Sequence, residues 1–256
     1  MNHPYWVAFY AILSKEVRRF MRIWIQTLLP PAITMVLYFI IFGNLIGSRI
    51  GSMDGVNYMQ YIVPGLIMMS VITNSYGNVS SSFFSNKFQK SIEELLVSPV
   101  PNWVIMLGFV FGGVARGLAC GVIVLLLSLW FTHLQVHNLW VLLSVILMTA
   151  VVFSTAGLIN GLYATKFDDV SIVPTFILTP LTYLGGVFYS VALLPDVWQW
   201  VSKLNPILYM VNTFRYGFIG ISDISLSFAY GMLFVFLAAL MGWALYLLNT
   251  GRGLRN

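Results

Sequence analysis

The sequence predicts an all-α integral membrane protein. Hydrophobic residues make up 59% of the 256 residues and charged residues only 8%, whereas about 25% of the residues of a soluble globular protein are charged. We identify six apolar segments near or above the roughly 20 residues that a helix needs to cross a bilayer. These predicted spans are residues 28–47, 59–84, 103–131, 140–163, 172–189 and 226–249.

An amphipathic helix is predicted for residues 3–26, ahead of the first span. One face carries Lys15, Arg18, Arg19, Arg22 and Gln26, and the other carries Leu13, Val17, Phe20, Met21 and Trp24. This pattern is typical of a helix that lies in the membrane surface with its basic side chains toward anionic headgroups. The apolar residues 5–13 are followed, not preceded, by positive charges, so we expect no removable signal peptide.

Prolines in the first and fifth predicted spans bear on the geometry of those spans. Pro30 and Pro31 fall in the first turn of the first span, where a missing backbone N–H costs little. Pro174 and Pro180 lie inside the fifth span, which we therefore expect to be kinked or broken.

The third span combines small residues with a charge. Gly113, Gly117 and Gly121 have GxxxG spacing, which permits close approach of another helix. Arg116 lies beside them. Because an arginine at mid-bilayer costs on the order of 3 kcal/mol on insertion scales, Arg116 should face the bundle interior, a partner or water.

The later half of the second span is unusually polar for a membrane helix. Its polar residues include Asn74, Ser75, Asn78 and Ser81. Such groups either bond to neighbouring helices or line a wet pathway. Both interpretations remain open at this stage.

Residues 86–101, NKFQKSIEELLVSPVP, predict a short helix between the second and third spans. Ser91 and Glu94 have the spacing of a capping box, so we expect the helix to begin at Ser91. Ser98 precedes Pro99, which ends the helix after about two turns. A helix this short must pack its apolar residues on another element to be stable. A solvated loop and a docking surface for a soluble partner are both compatible with this pattern.

Residues 192–225 contain no clean span. The segment is apolar but interrupted by charges and prolines. We expect two short helices, broken at Asn205 and Pro206, that enter the outer half of the bilayer and return.

The sequence carries no motif for catalysis or for a cofactor. No GxxxxGK[ST] phosphate-binding loop is found, and no Gly-Lys pair. His133 and His137 have no third metal ligand nearby, and the single cysteine, Cys120, excludes an internal disulfide. We predict no enzyme activity, no metal and no nucleic-acid partner.

The charge distribution predicts the orientation. With six spans, both termini and the loops after the second and fourth spans lie on one side of the membrane. That side collects nine of the 13 lysines and arginines, including Arg252 and Arg255 near the C-terminus. The positive-inside rule places it in the cytoplasm.

Two stretches, SIEELLVSPVP after the second span and LNPILYMVNTFRYGFIG before the sixth, resemble the membrane subunit of ABC-2 type exporters. The resemblance covers nearly the whole chain and implies a single transmembrane domain over residues 1–256. It also implies a permease of the bacterial inner membrane that forms a homodimer and binds two copies of a separate ATPase. ATP and Mg²⁺ would be bound by that ATPase and not by this chain.

The resemblance also implies roles for individual residues. The ATPase would bind the coupling helix and its flank, formed by Lys90, Ser91, Ile92, Glu93, Glu94, Leu95, Leu96 and Val97. A lesser contact would involve Lys166, Asp168 and Asp169. Asn205, Pro206, Tyr209 and Arg215 would belong to re-entrant outer helices that gate exit. The family uses spans one, two and five for the subunit interface and pathway, which favours lining roles for Asn74, Ser75, Asn78 and Ser81. Arg116 and the two histidines match no motif of the family.

Two other functions remain possible. A secondary, ion-coupled transporter would need carboxylates or helix ends at the membrane midplane, but the eight acidic residues all fall in predicted loops or flanks. A membrane scaffold without transport is also compatible with the composition. The predicted lining is apolar to weakly polar, which admits lipids, glycolipids, polysaccharide carriers and hydrophobic drugs as substrates.

The predicted orientation can be tested by labelling. Single cysteines at Lys90 or Glu94, in a Cys120→Ser background, should react with a membrane-impermeant reagent only after the cells are opened. Reaction in intact cells would place the short helix on the wrong side of the membrane.

Overall fold

The computed structural model describes residues 4–53 and 55–253. Residue 3 of the predicted amphipathic helix, Asp54 and Arg255 therefore lie outside the described residues. The helices are α1 (Pro4–Arg22), α2 (Trp24–Thr27), α3 (Leu29–Tyr38), α4 (Gly47–Ile50), α5 (Tyr58–Phe88), α6 (Ser91–Val97), α7 (Asn102–Ser128), α8 (Leu139–Tyr163), α9 (Phe167–Val173), α10 (Thr179–Leu184), α11 (Asp196–Lys203), α12 (Pro206–Ile219) and α13 (Leu226–Thr250). Two π-helical segments, Phe39–Ile46 and Pro174–Leu178, and a 3₁₀ turn, Val191–Leu193, complete them.

The all-α prediction is confirmed. Beside the helices, the described residues form one small hairpin, in which β1 (Ser52–Met53) pairs antiparallel with β2 (Val56–Asn57). Four helices in the described part of the chain are long and apolar enough to cross a membrane. They are Trp24–Ile50, Asn102–Ser128, Leu139–Tyr163 and Leu226–Thr250.

α5 lies at the centre of the bundle. Most of its 31 residues are buried, and it packs along α7 and α8 and against α12. The polar residues of its second half explain why α5 is not among the four most apolar helices. The helix reaches Phe88, four residues beyond the predicted end of the second span.

Glycines allow α7 and α8 to approach α5 closely. A Cβ atom at Gly117 of α7 would overlap the Ser75 hydroxyl, so the contact predicted from the GxxxG pattern is confirmed. A Cβ atom at Gly157 of α8 would overlap the backbone carbonyl oxygen of Tyr76. This second close contact was not predicted from the sequence.

Of the two outcomes expected for the fifth span, a kink or a break, the break is absent. Helix runs from Phe167 to Leu184 without interruption, and the π-helical segment begins at Pro174. The wider π turn and the early position of each proline in its segment remove the clash that a proline makes inside a regular α-helix. The helix ends five residues before the predicted end of the span, and the chain turns at Gly186, whose φ is +69°.

The predicted break in residues 192–225 is present. Asn205 caps α12 by accepting a hydrogen bond from the backbone N–H of Ile207 at 3.0 Å, and Pro206 is the first helical residue. α12 packs closely on the rest of the bundle, because most of its 14 residues are buried against α8 and α5.

The glycine contact between α8 and α5 should be essential for packing. Gly157→Ala should lower the free energy of unfolding by about 1–3 kcal/mol, because the new methyl group meets a backbone carbonyl that cannot rotate away. Gly242→Ala in α13 is the matched control, since a Cβ atom there meets no atom within 4 Å. Unfolding in detergent measures both variants, and equal stability would contradict this account of the contact.

Candidate functional site

α6 has the bounds that the sequence predicted, but its N-terminus is built differently. Lys90, not Ser91, is the N-cap residue, with φ +60° and ψ +5°. Ser91 is the first helical residue, and its Oγ donates to the backbone carbonyl oxygen and to Oδ1 of Asn86, at 3.2 and 3.1 Å. The predicted capping box of Ser91 and Glu94 is therefore wrong, because the Ser91 hydroxyl bonds to α5 and not to its own helix.

α6 buries one face and exposes the other. Ile92 is only 2% exposed and packs in a cluster with residues of α5 and α7, and Leu95 and Leu96 pack against that cluster. Glu93 and Glu94 are exposed, and Val97 is 87% exposed. The helix thus presents two carboxylates and an apolar side chain outward. We call this end of the bundle the α6 end.

Lys87 joins α5 to the loop after α8. Its Nζ donates to the carbonyl oxygens of Leu162 and Ala164, at 2.7 and 2.8 Å, which satisfies backbone groups at the C-terminal end of α8. Phe88 contacts the ring of Phe167 in α9, with the ring centroids 5.0 Å apart. The second predicted contact segment is therefore held beside α6. A recess of about 910 Å³ is lined by α6, by Thr165 of this loop and by the end of α13.

Asp169 organises the second contact segment. Its Oδ2 accepts hydrogen bonds from the backbone N–H and the hydroxyl of Thr165, both at 2.8 Å, and from the Lys166 N–H at 3.0 Å. These bonds, chiefly those from Thr165, hold the pKa of Asp169 below its usual value. The bond from the Lys166 N–H is one half of a capping box. Sequence reasoning missed it, although Asp169 lies three residues after Lys166.

The polar residues of α5 lie mainly against other helices of the same chain. Asn74, Ser75 and Asn78 are buried, which matches the packing interpretation that the sequence left open. Ser81 is exposed, and its hydroxyl bonds to carbonyl oxygens of α5 itself. Of the four predicted lining residues, Ser81 thus has the exposure that a pathway needs.

Glu16 of α1 is fully buried, which sequence reasoning missed. Its Oε2 lies 3.2 Å from Arg19 Nη2, and its Oε1 accepts a hydrogen bond from the Ser82 hydroxyl at 2.8 Å. The prediction that the acidic residues fall in loops or flanks did not anticipate this burial, although α1 does flank the first span. The sequence feature related to this burial is Gly112 of α7. A Cβ atom at Gly112 would come within 2.5 Å of the Glu16 Cβ, so the glycine leaves room for α1 at this point.

α1 also differs from the continuous amphipathic helix that the sequence predicted. It ends at Arg22, and α2 follows after a break at Ile23. Of its buried residues, Phe20 belongs to the predicted apolar face, whereas Ile12 and Glu16 belong to neither predicted face. Gly108 of α7 makes room for Ile12, so α1 packs on the bundle as well as presenting a basic face.

Arg215 anchors α12 at the opposite end of α5. Its side chain is 2% exposed. Nε donates to the Tyr61 carbonyl oxygen at 3.1 Å, Nη2 donates to the Gly186 carbonyl oxygen at 2.7 Å, and the guanidinium lies 3.8 Å from the centre of the Tyr61 ring. Within the predicted hairpin, the Tyr209 hydroxyl donates to the Lys203 carbonyl oxygen at 2.6 Å. Arg215 thus ties α12 to α5 and to the turn after α10.

The two histidines do not form a metal site with other described residues. His137 contacts Tyr216 edge to face, with the ring centroids 5.3 Å apart. Among the described residues, no three histidine, cysteine, aspartate or glutamate side chains are placed to hold a metal ion.

Comparison with known proteins identifies the family. A family model described as ABC-2 type transporter matches residues 7–219. The chain belongs to this family. It is therefore a membrane transport permease built on the ABC-2 membrane domain.

Individual relatives agree with this assignment. The inner membrane transport permease YadH of Escherichia coli (strain K12) is 63% identical over 259 residues, which cover 100% of both chains. Nodulation protein J of Sinorhizobium fredii (strain NBRC 101917 / NGR234) is 23% identical over 66% of this chain and 65% of its own length. The full-length relative and the apolar helices support a multi-pass protein of the inner membrane.

The Asp169 contacts generate a pH prediction. A carboxylate with a lowered pKa stabilises the folded loop above its unfolded pKa of about 3.9, and that stabilisation is lost as the pH falls through the folded pKa. The protection factors of the Thr165 and Lys166 amides, which are the ratios of intrinsic to observed exchange rates, should therefore fall as the pH is lowered through the folded pKa of Asp169.

Asp169→Asn should increase this exchange at neutral pH. Asp168→Asn is the matched control, because no hydrogen bond to the Asp168 carboxylate is found among the described residues. Hydrogen exchange followed by mass spectrometry measures both variants. Equal protection in the two would contradict the role of Asp169.

Proposed function

We propose that this permease is the membrane subunit of an ATP-driven exporter and that a separate ATPase docks on the α6 end. The observation that carries the proposal is the outward face of α6, where Glu93, Glu94 and Val97 are exposed while Ile92 fixes the helix to the bundle. The coupling residues Lys90 to Val97 and the segment with Lys166, Asp168 and Asp169 share this end of the bundle.

Exposed apolar side chains support docking at this end. Phe88 is 62% exposed, Phe167 60% and Val97 87%. Apolar patches rimmed by charged residues mark interaction surfaces in proteins. The positive-inside rule places this end, and both termini, in the cytoplasm, where ATP is available to a soluble partner. ATP and Mg²⁺ would be bound by two copies of that ATPase.

The docking helix is attached firmly enough to transmit a rigid-body movement. Ile92 is buried in the core, and Ser91 bonds to Asn86 of α5. A closing ATPase dimer would therefore displace α6 together with α5, as in other transitions in which packed elements move as units.

We propose six spans and a homodimer. The two spans beyond the four apolar helices would be α5 and the helical residues 172–184. α5 exposes Thr73 and Ser81, which are about two helical turns apart, and Phe176 of the π-helical segment is 73% exposed. A second copy would cover these faces, and the transport pathway would run between the copies past Ser81. α11 and α12 would form the re-entrant outer hairpin that gates exit.

The polarity of the proposed lining indicates the chemical class of the substrate. An apolar to weakly polar pathway suits lipids, glycolipids, polysaccharide carriers or hydrophobic drugs. Transport outward follows the family. A secondary transporter is disfavoured because the buried carboxylate of Glu16 is already neutralised by Arg19 and bonded to Ser82, which leaves it no coordination for a coupling ion.

Charge reversal on α6 tests the docking proposal. A Glu93→Lys, Glu94→Lys double variant should lose both co-purification of the ATPase and ATP turnover, because two exposed carboxylates of the docking face become cations. Asp196→Lys is the control, since Asp196 is exposed on α11 in the proposed outer hairpin. An unchanged complex with unchanged turnover in the double variant would refute docking at α6, and absence of any co-purifying ATPase from the unsubstituted protein would favour a scaffold without transport.

A further inference from the structure

The second half of α5 makes a row of polar contacts with α1, α6 and α7. We infer that this row, which we call the α5 ladder and define as Asn74, Asn78, Ser82 and Asn86, positions α1 and the elbow after it so that they follow the movement of α6. The elbow comprises residues 23–28, where the chain passes from α1 to the first span. The inference rests on the proposed function, since it assigns a route to the movement that docking would cause.

The lower rung of the ladder joins three helices at Asn86. Asn86 Oδ1 accepts hydrogen bonds from Lys15 Nζ of α1 at 2.7 Å and from the Ser91 hydroxyl of α6 at 3.1 Å. Asn86 Nδ2 donates to the Ser82 carbonyl oxygen at 2.8 Å. The side chain is 8% exposed. One amide group thus connects the N-terminus of α6 directly to α1.

In the middle rungs, Glu16 and Arg19 form an ion pair within α1, and each of them also bonds to a residue of α5. The Ser82 hydroxyl donates to Glu16, and Arg19 Nη2 donates to Asn78 Oδ1 at 2.8 Å and to the Asn78 carbonyl oxygen at 3.1 Å. Glu16, Asn78 and Ser82 are each no more than 1% exposed. Hydrogen bonds that involve charged groups are roughly twice as strong as neutral ones, and burial shields them from water.

The upper rung reaches the elbow. Arg116 of α7 lies 3.4 Å from Asn74 Oδ1 and 3.4 Å from the Thr27 carbonyl oxygen, both measured from Nη2. The Thr27 hydroxyl donates to the Phe20 carbonyl oxygen at 3.0 Å, across the break at Ile23. Arg116, for which the sequence offered no role, thus connects the elbow to the top of the ladder.

The spacing of the ladder fixes how α1 can move. Its members recur every four residues and therefore lie on one face of α5. A purely apolar contact would let α1 slide along α5, whereas polar groups with defined partners select one register. Gly108 and Gly112 of α7 remove the side chains that would hold α1 away from this position. The ladder is therefore suited to make α1 move with α5 and α6 instead of independently.

Hydrogen exchange in the complex of permease and ATPase, reconstituted in nanodiscs, tests the inference. Exchange is compared with and without ATP and vanadate for peptides that cover α6 and the elbow. In the unsubstituted complex, both peptides should change their exchange when the nucleotide is trapped. In Ser82→Ala, the α6 peptide should still respond, and the elbow peptide should lose most of its nucleotide-dependent difference. Ser80→Ala is the matched control, because among the described residues its buried hydroxyl bonds only to the Gly77 carbonyl oxygen of α5 itself.

The nucleotide-dependent difference separates positioning from general loosening. A variant that only loosens the fold raises elbow exchange equally with and without nucleotide and leaves the difference intact. Glu16→Gln, which keeps the shape of the side chain and removes its charge, gives a second test if Ser82→Ala assembles poorly. Retention of the elbow response in both variants would overturn the inference. Absence of an α6 response in the unsubstituted complex would instead overturn the docking proposal, and the inference with it.

Discussion

The structure depends on the burial of a polar helix inside an apolar protein. A bilayer core provides no water to satisfy amide and hydroxyl groups, so each such group on α5 needs a partner within the protein. α1 and α7 supply partners for Asn74, Asn78, Ser82 and Asn86, while the Ser75 hydroxyl, covered closely by Gly117 of α7, has none among the described residues. Glycines at 112, 117 and 157 allow the backbones to come near enough. Without these close contacts, α5 could not occupy the centre of the bundle.

α5 also connects the two ends of the molecule. At one end Arg215 holds α12 to the first turns of α5, through Tyr61. At the other end Asn86 and Lys87 hold α6 and the loop after α8. A displacement applied at one end therefore reaches the other through a single helix of 31 residues. The proposed docking and exit functions lie at opposite ends of this helix.

Much of the fold was predictable from the sequence, because composition, apolar length and proline position act locally. The all-α class, the bounds of α6, the close packing of α7 and the break at Asn205 and Pro206 all followed from such local rules. Pairings between distant residues did not. The partners Ser82 and Glu16 are 66 residues apart, and neither residue shows alone that its side chain is buried against the other.

The wrong predictions have related physical causes. Ser91 matched the local rule for a cap, but Asn86 offered its hydroxyl a tertiary acceptor. Pro174 would break a regular α-helix, but a π turn accommodates it. For the polar residues of α5 both a pathway and a packed interface stayed open, since amides and hydroxyls serve either use, and the contacts with α1 and α7 that bury Asn74, Ser75 and Asn78 are distant in sequence.

The backbone at Lys90 determines how force would pass between α5 and α6. Among the described residues, Lys90 is the single non-glycine residue with positive φ. A side chain in this region of backbone space leaves few alternative conformations, whereas glycine there would allow many. The backbone that links α5 to α6 at Lys90 is therefore conformationally restricted. A displacement of α6 would therefore be transmitted to α5 with little change in the backbone conformation of this link.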